Sequence, residues 1–185
     1  MAQPSSLPPV PSTVRLRHRL VAILWSLSGG LFAIFGALVK ETGVGGGPLL
    51  VMLFAPAIEE VLKPCGVYFL LERRVQYLSS RLQVALLSMM GGIVFAAIEN
   101  VIYLCLYVRR PVLGLIVWRW TVCLAMHAAC SFLVGLGLGK LLPAMRRGEP
   151  FELEDCFGWV IAAIVIHGVY NASVTFITTF GGRLY

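Results

Sequence analysis

Five long apolar runs constrain this chain more than any other feature of its sequence. They cover residues 20–39, 48–71, 83–108, 112–142 and 157–180. A run of about 20 apolar residues is the length that crosses the hydrocarbon layer of a bilayer as a helix. Charged residues make up 13% of the chain, about half the fraction that is usual in a soluble domain. We therefore predict an all-α, polytopic transmembrane helix bundle with about five membrane-spanning helices.

The N-terminal residues differ in composition from the rest. Residues 1–14 are rich in proline and serine, and arginines follow at positions 15, 17 and 19. This composition predicts a disordered basic arm over residues 1–19, followed by a single transmembrane domain over residues 20–185. The first apolar run is longer than the apolar segment of a signal peptide, which has about 7 to 15 residues, and no A-x-A motif closes it. We interpret it as a retained first helix.

The distribution of arginine and lysine predicts an orientation. Basic residues concentrate on the cytoplasmic side of membrane proteins. If the N-terminus lies inside, the inner segments hold nine basic residues, at positions 15, 17, 19, 73, 74, 81, 140, 146 and 147, and the outer segments hold four, at 40, 109, 110 and 183. We therefore predict an N-in, C-out topology. The net charge of +6 then fits contact with the anionic lipid bilayer and gives no reason to expect nucleic acid as a partner.

Several polar side chains lie within the apolar runs, where an ionisable group costs roughly 2.5–3.5 kcal/mol and is a candidate for function. They are Glu59, Glu60 and Lys63 in the second run, Glu99 and Asn100 in the third, Arg119 and His127 in the fourth, and His167 and Asn171 in the fifth. The helical rise of roughly 1.5 Å per residue places Glu60, His127 and His167 near the middle of the membrane and Glu99 about 6 Å nearer the outer face. We predict one polar site shared by four helices.

Local spacing supports a shared site. Glu59 and Glu60 precede Lys63 by four and three residues, so either carboxylate can pair with the ammonium group on a helix. His167 and Asn171 are four residues apart, and their side chains therefore share one face of the fifth helix.

Proline, glycine and cysteine predict how the helices pack. Pro64 cannot donate a hydrogen bond to the carbonyl of Glu60, so we expect a kink there. Glycines at positions 91, 92, 135, 137 and 139 predict close helix contacts. Cysteines at positions 65, 105, 123, 130 and 156 contain no CxxC pair, and we interpret them as small buried packing residues rather than a disulfide framework or a structural zinc site.

Two hydrolytic chemistries fit carboxylates and imidazoles gathered in a membrane cavity. In the first, a glutamate takes a proton from water, Asn and His donors stabilise the oxyanion of a peptide carbonyl, and no cofactor is required. In the second, a divalent ion, best zinc, activates the water. Since the sequence has no HExxH motif, ligands for such an ion would come from separate helices. The candidate ligands are Glu60, Glu99, His127 and His167.

Four sequence blocks resemble the PrsW family of intramembrane proteases, within the wider group of CAAX prenyl proteases and bacterial immunity-type proteases. The blocks lie in residues 55–172 in the expected order. They are EExxK at Glu59, Glu60 and Lys63; FxxxEN at Phe95, Glu99 and Asn100; an Arg followed eight residues later by His at Arg119 and His127; and HxxxN at His167 and Asn171. CAAX-type relatives usually carry His in place of Glu99, which favours the prokaryotic PrsW branch.

The resemblance implies a multi-pass intramembrane endopeptidase in the plasma membrane of a prokaryote. It further implies a membrane-anchored protein substrate, similar to the anti-sigma factors that site-1 proteases cut. It implies that Glu59 or Glu60 is the general base and that Glu99 helps to hold the water. It makes His167 and Asn171 the donors that bind the oxyanion, and His127 the residue that completes the catalytic or metal set. It leaves Lys63, Phe95, Asn100 and Arg119 as supporting residues.

The chain also departs from the family pattern. The family often has more than five spans, and an acidic linker before the second block is replaced here by the basic, polar ERRVQYLSSR. Two other classes of protein place Glu and His at this depth: a non-catalytic membrane scaffold and a proton-coupled transporter. A related scaffold lacks the glutamates that this chain keeps, and we find no inverted repeat that would indicate a transporter. The oligomeric state is not predicted.

Overall fold

The computed structural model describes residues 12–43, 47, 49–150 and 152–180, and these residues are helical with short connections and contain no strand. The α-helices are α1 Ser12–Gly43, α2 Ala55–Leu62, α3 Cys65–Arg73, α4 Arg81–Ile102, α5 Leu113–Trp118, α6 Leu124–Arg147 and α7 Glu154–Phe180. Turns of π-helix occupy Leu50–Phe54, Tyr103–Tyr107 and Arg119–Cys123, and a 3₁₀ turn occupies Val75–Tyr77. The predicted all-α fold is confirmed.

Four helical segments among the described residues are long and apolar enough to cross a membrane. They are Arg15–Phe35, Arg81–Tyr107, Leu113–Arg147 and Glu154–Phe180. The second predicted run is not one continuous helix, because α2 ends at Leu62 and α3 begins at Cys65. Pro64 lies at this break, and proline removes a backbone donor and clashes with the preceding turn. The number of about five spans therefore stays a prediction, while the predicted kink is present as a break.

Helix α1 begins before residue 20, where the first predicted span starts. It starts at Ser12, so the second half of the predicted disordered arm is helical, and residues 1–11 lie outside the described residues. Arginine and leucine favour helix, and the ring of His18 packs edge-on against Tyr77 with 4.7 Å between the ring centroids. This contact gives the basic first turns of α1 a partner on the rest of the protein.

The break between α2 and α3 fits against two glycines of neighbouring helices. A Cβ atom would lie 2.7 Å from the Lys63 carbonyl oxygen if placed on Gly29 of α1, and 2.8 Å if placed on Gly91 of α4. Both separations are closer than carbon and oxygen atoms can pack. The absence of side chains at these positions thus lets the broken helix enter the centre of the bundle, with the polar end of α2 in the interior.

Helix α6 lies between α4 and α7, with which it makes extensive contacts. A Cβ atom on Gly135 would be 2.6 Å from the Cα of Ala85, and Gly92 faces the side chain of Ser131. On the other side of α6, a Cβ atom on Gly137 would be 2.8 Å from the Cβ of Trp159. The predicted close contacts at the glycines are confirmed.

The segments that the sequence assigns to the inner side meet at one end of the bundle. His18 near the start of α1 contacts Tyr77, and Arg146 near the end of α6 donates a hydrogen bond to the carbonyl of Leu78. The basic residues beside these positions therefore share one end. That this end faces the cytoplasm stays a prediction.

Candidate active site

Two carboxylates and one ammonium group lie at the end of α2, with Lys63 directly after its last residue. Glu59, Glu60 and Lys63 have exposed fractions of 3%, 0% and 0%. The Lys63 Nζ atom lies 2.7 Å from Glu60 Oε1 and 3.6 Å from Glu59 Oε2. The predicted pairing of Lys63 thus involves both carboxylates. Because a buried charge needs a partner, this arrangement lets two acids remain in the interior next to one base.

His167 of α7 lies against the same carboxylates. Its Nδ1 atom is 2.8 Å from Glu60 Oε1, and its Nε2 atom is 3.9 Å from Glu59 Oε2. An ionised carboxylate only accepts hydrogen bonds, so Nδ1 carries a proton and donates a hydrogen bond to Glu60 Oε1. A carboxylate that holds one ring nitrogen fixes the orientation of the ring and directs the other nitrogen to the reacting group. Glu60 therefore positions His167.

His127 of α6 links Lys63 to a third carboxylate. Its Nδ1 atom lies 2.8 Å from Lys63 Nζ, and its Nε2 atom lies 3.3 Å from Glu99 Oε2. A lysine ammonium group can only donate, so Nδ1 accepts and Nε2 carries the proton that faces Glu99. The His127 ring also meets the His167 ring edge to face, with 4.7 Å between centroids. The helices α2, α4, α6 and α7 thus converge on one polar cluster.

Glu99 of α4 is the most accessible acid of this cluster, with 34% of its side chain exposed. The Arg119 Nη2 atom lies 3.1 Å from Glu99 Oε2. Arg119 also donates from Nε to Asn100 Oδ1 at 2.8 Å, and Asn100 donates from Nδ2 to the Arg119 carbonyl at 2.8 Å. One of these hydrogen bonds holds the guanidinium group and the other holds the backbone of Arg119, and the guanidinium group orients Glu99.

Phe95 of α4 forms an apolar wall of the cluster. It is fully buried, its ring centroid lies 4.4 Å from Lys63 Nζ, and it lies 5.4 Å from the ring centroid of His127. The face of an aromatic ring attracts a cation. Phe95 therefore contributes to holding the lysine ammonium group at this position.

The remaining predicted residue, Asn171, lies one turn beyond His167 on α7 and is half-buried. The structure brings these predicted residues into contact in one network: Glu59, Glu60, Lys63, Phe95, Glu99, Asn100, Arg119, His127 and His167. Their catalytic roles stay predictions.

Two groups of side chains among the described residues have donor atoms close enough together to hold a metal ion. Glu59, His127 and His167 form one group, and Glu99, Cys123 and His127 form the other; within each group the donor atoms lie within 4.8 Å of one another. Nitrogen, oxygen and sulfur donors of these kinds are the ligands that zinc accepts. The chemistry of both groups therefore fits a divalent ion, and His127 belongs to both.

These groups differ from the predicted ligand set. Glu59 takes the place of Glu60, whose Oε1 atom is already bonded to Lys63 and to His167. From the sequence, only a packing role is predicted for Cys123. Its position four residues before His127 is the signal that could have identified it, because that spacing puts both side chains on one helix face. Of the other cysteines, Cys105 is exposed, so the interpretation of all five as buried was wrong.

The charged cluster is closed in this structure. An open groove of about 630 Å³ lies beside it, between Met52 and the last turns of α7. The residues that line this groove on α7 begin at Ala172, one residue after Asn171. Glu60 and Lys63 are fully buried and do not line this groove.

One known protein family matches the chain. The family described as PrsW family intramembrane metalloprotease matches residues 15–184, nearly the whole chain. The matched residues include all four blocks that form the cluster. No curated protein and no solved structure matches the chain.

Proposed function

The chain belongs to the PrsW family of intramembrane proteases and is a membrane-embedded peptide hydrolase; from this premise we propose that it cuts a membrane-anchored protein at the buried cluster of glutamates and histidines. The observation that carries this proposal is the direct contact of Glu59, Glu60 and Lys63 with His127 and His167 from two other helices. An anti-sigma-factor-like substrate of the site-1 type, in the plasma membrane of a prokaryote, fits this family.

Glu59 is the better general base of the glutamate pair. Glu60 Oε1 accepts two short, charge-assisted hydrogen bonds from Lys63 and His167, and such bonds stabilise the ionised form and weaken it as a base. Glu59 is 3.6 Å from Lys63, a longer and weaker contact. We assign Glu60 the positioning of His167 and Glu59 the removal of the proton from water.

The reaction then proceeds by general acid–base catalysis. Glu59 takes a proton from water, and the hydroxide oxygen bonds to the carbonyl carbon of the peptide. The carbon–nitrogen bond breaks, and the same proton passes to the departing amine nitrogen. We assign the stabilisation of the oxyanion to His167 and Asn171.

Glu99 and Arg119 complete the site on its accessible side. Glu99 is the cluster carboxylate that is about one third exposed, so it can hold a water molecule that enters from outside the cluster. Arg119 and His127 both contact its Oε2 atom. The carboxylate therefore has a fixed orientation toward the buried acids, as a water-holding residue requires.

The family description as a metalloprotease fits the donor groups of this cluster, and we propose that a divalent ion, best zinc, binds next to His127. A bound ion of this kind would lower the pKa of a water ligand and polarise the peptide carbonyl. A second candidate is metal-free catalysis by glutamate. The observation in its favour is that Lys63 already supplies a cation between Glu59, Glu60 and His127.

A cleavage assay of the purified full chain on a single-span substrate tests the proposal. We expect Glu59→Gln and His167→Ala to lower the rate at least about 100-fold, because each removes a proton-transfer or oxyanion group. Glu149→Gln is the matched control, since Glu149 is exposed in the α6–α7 connection, and it should keep the wild-type rate. Full activity of both site variants would reject the assigned site.

The same assay separates the remaining alternatives. Loss of cleavage with chelator and recovery with zinc would establish the metal chemistry, and cleavage unaffected by chelator would establish the glutamate chemistry. A scaffold or a proton-coupled transporter would show no cleavage by the wild-type protein under any of these conditions.

A further inference from the structure

We infer that Cys123 is a sulfur ligand of the divalent ion, which binds between Glu99, Cys123 and His127. This inference rests on the proposed function, because it takes the site to be a metal site. It assigns a role to a residue that lies within the third sequence block but is not one of its defining residues, Arg119 and His127.

The position of Cys123 supports this assignment. Cys123 ends the π-helical turn Arg119–Cys123, and 3% of it is exposed. The π-helical turn is rare, and such turns occur frequently at functional sites. His127 follows one helical turn later, and Glu99 reaches the same point from α4, with the three donor atoms within 4.8 Å of one another. Two helices therefore bring a thiol, an imidazole and a carboxylate to one point.

A buried cation lies beside the alternative group formed by Glu59, His127 and His167. The Lys63 ammonium group lies 3.6 Å from Glu59 Oε2 and 2.8 Å from His127 Nδ1. A divalent ion at the alternative group would stand beside this cation, and the repulsion of two positive charges at such distances is strong in a buried site. The Glu99 group lies on the opposite nitrogen of the His127 ring, farther from that charge.

Arg119 also brings a positive charge near the Glu99 group, but its surroundings differ from those of Lys63. Its guanidinium group is shared between Glu99 Oε2 at 3.1 Å and Asn100 Oδ1 at 2.8 Å. Partners of this kind in the second coordination shell orient a carboxylate ligand. Arg119 therefore acts on the ion through Glu99, as a positioning residue.

The exposed fraction of Glu99 also favours the group of Glu99, Cys123 and His127 as the site that water can reach. Glu59, His127 and His167 have exposed fractions of 1% to 3%, whereas Glu99 has 34% of its side chain exposed. Catalytic zinc sites use three protein ligands and keep one position open for water. Glu99, Cys123 and His127 supply three ligands; Glu99 reaches the accessible edge of the cluster, and Cys123 and His127 are buried behind it.

The contact between His127 and Glu99 marks where an ion would bind. His127 Nε2 and Glu99 Oε2 lie 3.3 Å apart. Metal ions bind imidazole nitrogen and thiolate sulfur after these atoms have lost their protons. An ion here would displace the proton of His127 Nε2 and the thiol proton of Cys123, and His127 would stay neutral by taking a proton at Nδ1 from Lys63, which lies 2.8 Å away.

X-ray absorption of the zinc-loaded full chain in detergent tests this inference directly. We expect a zinc–sulfur shell at about 2.3 Å in the wild-type protein and its loss in Cys123→Ser and Cys123→Ala. Cys130→Ala is the matched control, because Cys130 is buried on the same helix and belongs to neither donor group; its spectrum should keep the sulfur shell. Cobalt loading offers a second readout, a thiolate-to-cobalt absorption band that only the Cys123 variants lose.

Zinc bound without a sulfur shell in the wild-type protein would overturn the inference, as would a shell that persists in both Cys123 variants. A wild-type protein that binds no zinc would overturn it as well. The peptide cleavage assay tests the proposed function independently. If the wild-type protein cleaves the substrate but shows no sulfur shell, the role of Cys123 is rejected and the proposed function is supported. If it shows a sulfur shell but no cleavage, only the proposed function is rejected.

Discussion

The Lys63 ammonium group lies 2.8 Å from Nδ1 of His127, and both side chains are buried. This contact joins α2 to α6 at the point where the chain breaks before Pro64. The same ammonium group reaches Glu60 Oε1 at 2.7 Å. One buried cation thus fixes a carboxylate and an imidazole from two helices, and the stability of the bundle depends on it.

Replacement of Lys63 by Met should destabilise the protein. It leaves two buried carboxylates without their cation, and removal of one partner from a buried ion pair costs about 3–5 kcal/mol. Unfolding of the purified protein in mixed detergent micelles measures the change. Lys140→Met is the control: Lys140 is exposed, with Nζ 5.6 Å from the ring centroid of Trp159, and should cost below about 1 kcal/mol. Equal losses in the two variants would contradict the role of Lys63.

Gly91→Ala should destabilise the bundle at the helix break. The new Cβ atom would lie 2.8 Å from the Lys63 carbonyl oxygen and 3.2 Å from that of Ser26, and crowding of this kind costs about 1–3 kcal/mol. Gly114→Ala offers a matched control, since nothing lies within 4 Å of its added Cβ atom and alanine favours helix. The same unfolding measurement should show the control at or slightly above wild-type stability. A neutral Gly91 variant would mean that the break does not need this close approach.

Arg119→Lys should lower the rate of peptide cleavage about 10- to 100-fold while it leaves KM nearly unchanged. A lysine ammonium group cannot make the contacts to Glu99 and Asn100 that the planar guanidinium group makes, and loss of a partner that orients a ligand has an effect of this size. Separate values of kcat and KM measure it. Arg109→Lys, at an exposed position, should behave as wild type. An Arg119→Lys variant with full kcat would show that the arginine only packs.

His127→Ala should remove bound zinc, because His127 belongs to both donor groups. Metal content after dialysis against a metal-buffered solution measures this without reference to activity. His18→Ala is the control, since His18 contacts Tyr77 at the end of the bundle, and it should retain the wild-type zinc content. Zinc binding by the His127 variant at wild-type affinity would exclude both donor groups.

Cysteine labelling should establish the predicted orientation. With the N-terminus inside, Arg109→Cys lies outside the cell and Glu149→Cys lies inside. In a background without the native cysteines, a membrane-impermeant maleimide should label position 109 in intact cells and position 149 only after permeabilisation. The reverse pattern would invert the topology.

At the polar site, the contacts between side chains of the same helix could be predicted from the sequence. The pairing of Lys63 with both glutamates follows from separations of three and four residues, and the structure contains both contacts. Contacts between helices could not be predicted to this precision. That Glu60 rather than Glu59 bonds His167 Nδ1 depends on the rotation of α7 against α2, which side-chain packing sets.

The sequence by itself determined that this chain is an all-helical membrane protein, and it predicted a set of acids and histidines at a common depth. Long apolar runs require helices in a bilayer, and the cost of buried charge marks the functional residues. Only the tertiary structure decided how these residues pair, that the second run breaks at Pro64, and that Cys123 joins Glu99 and His127. Each of these depends on the close approach of separate helices at small residues such as Gly29 and Gly91, and that approach is a property of packing in three dimensions.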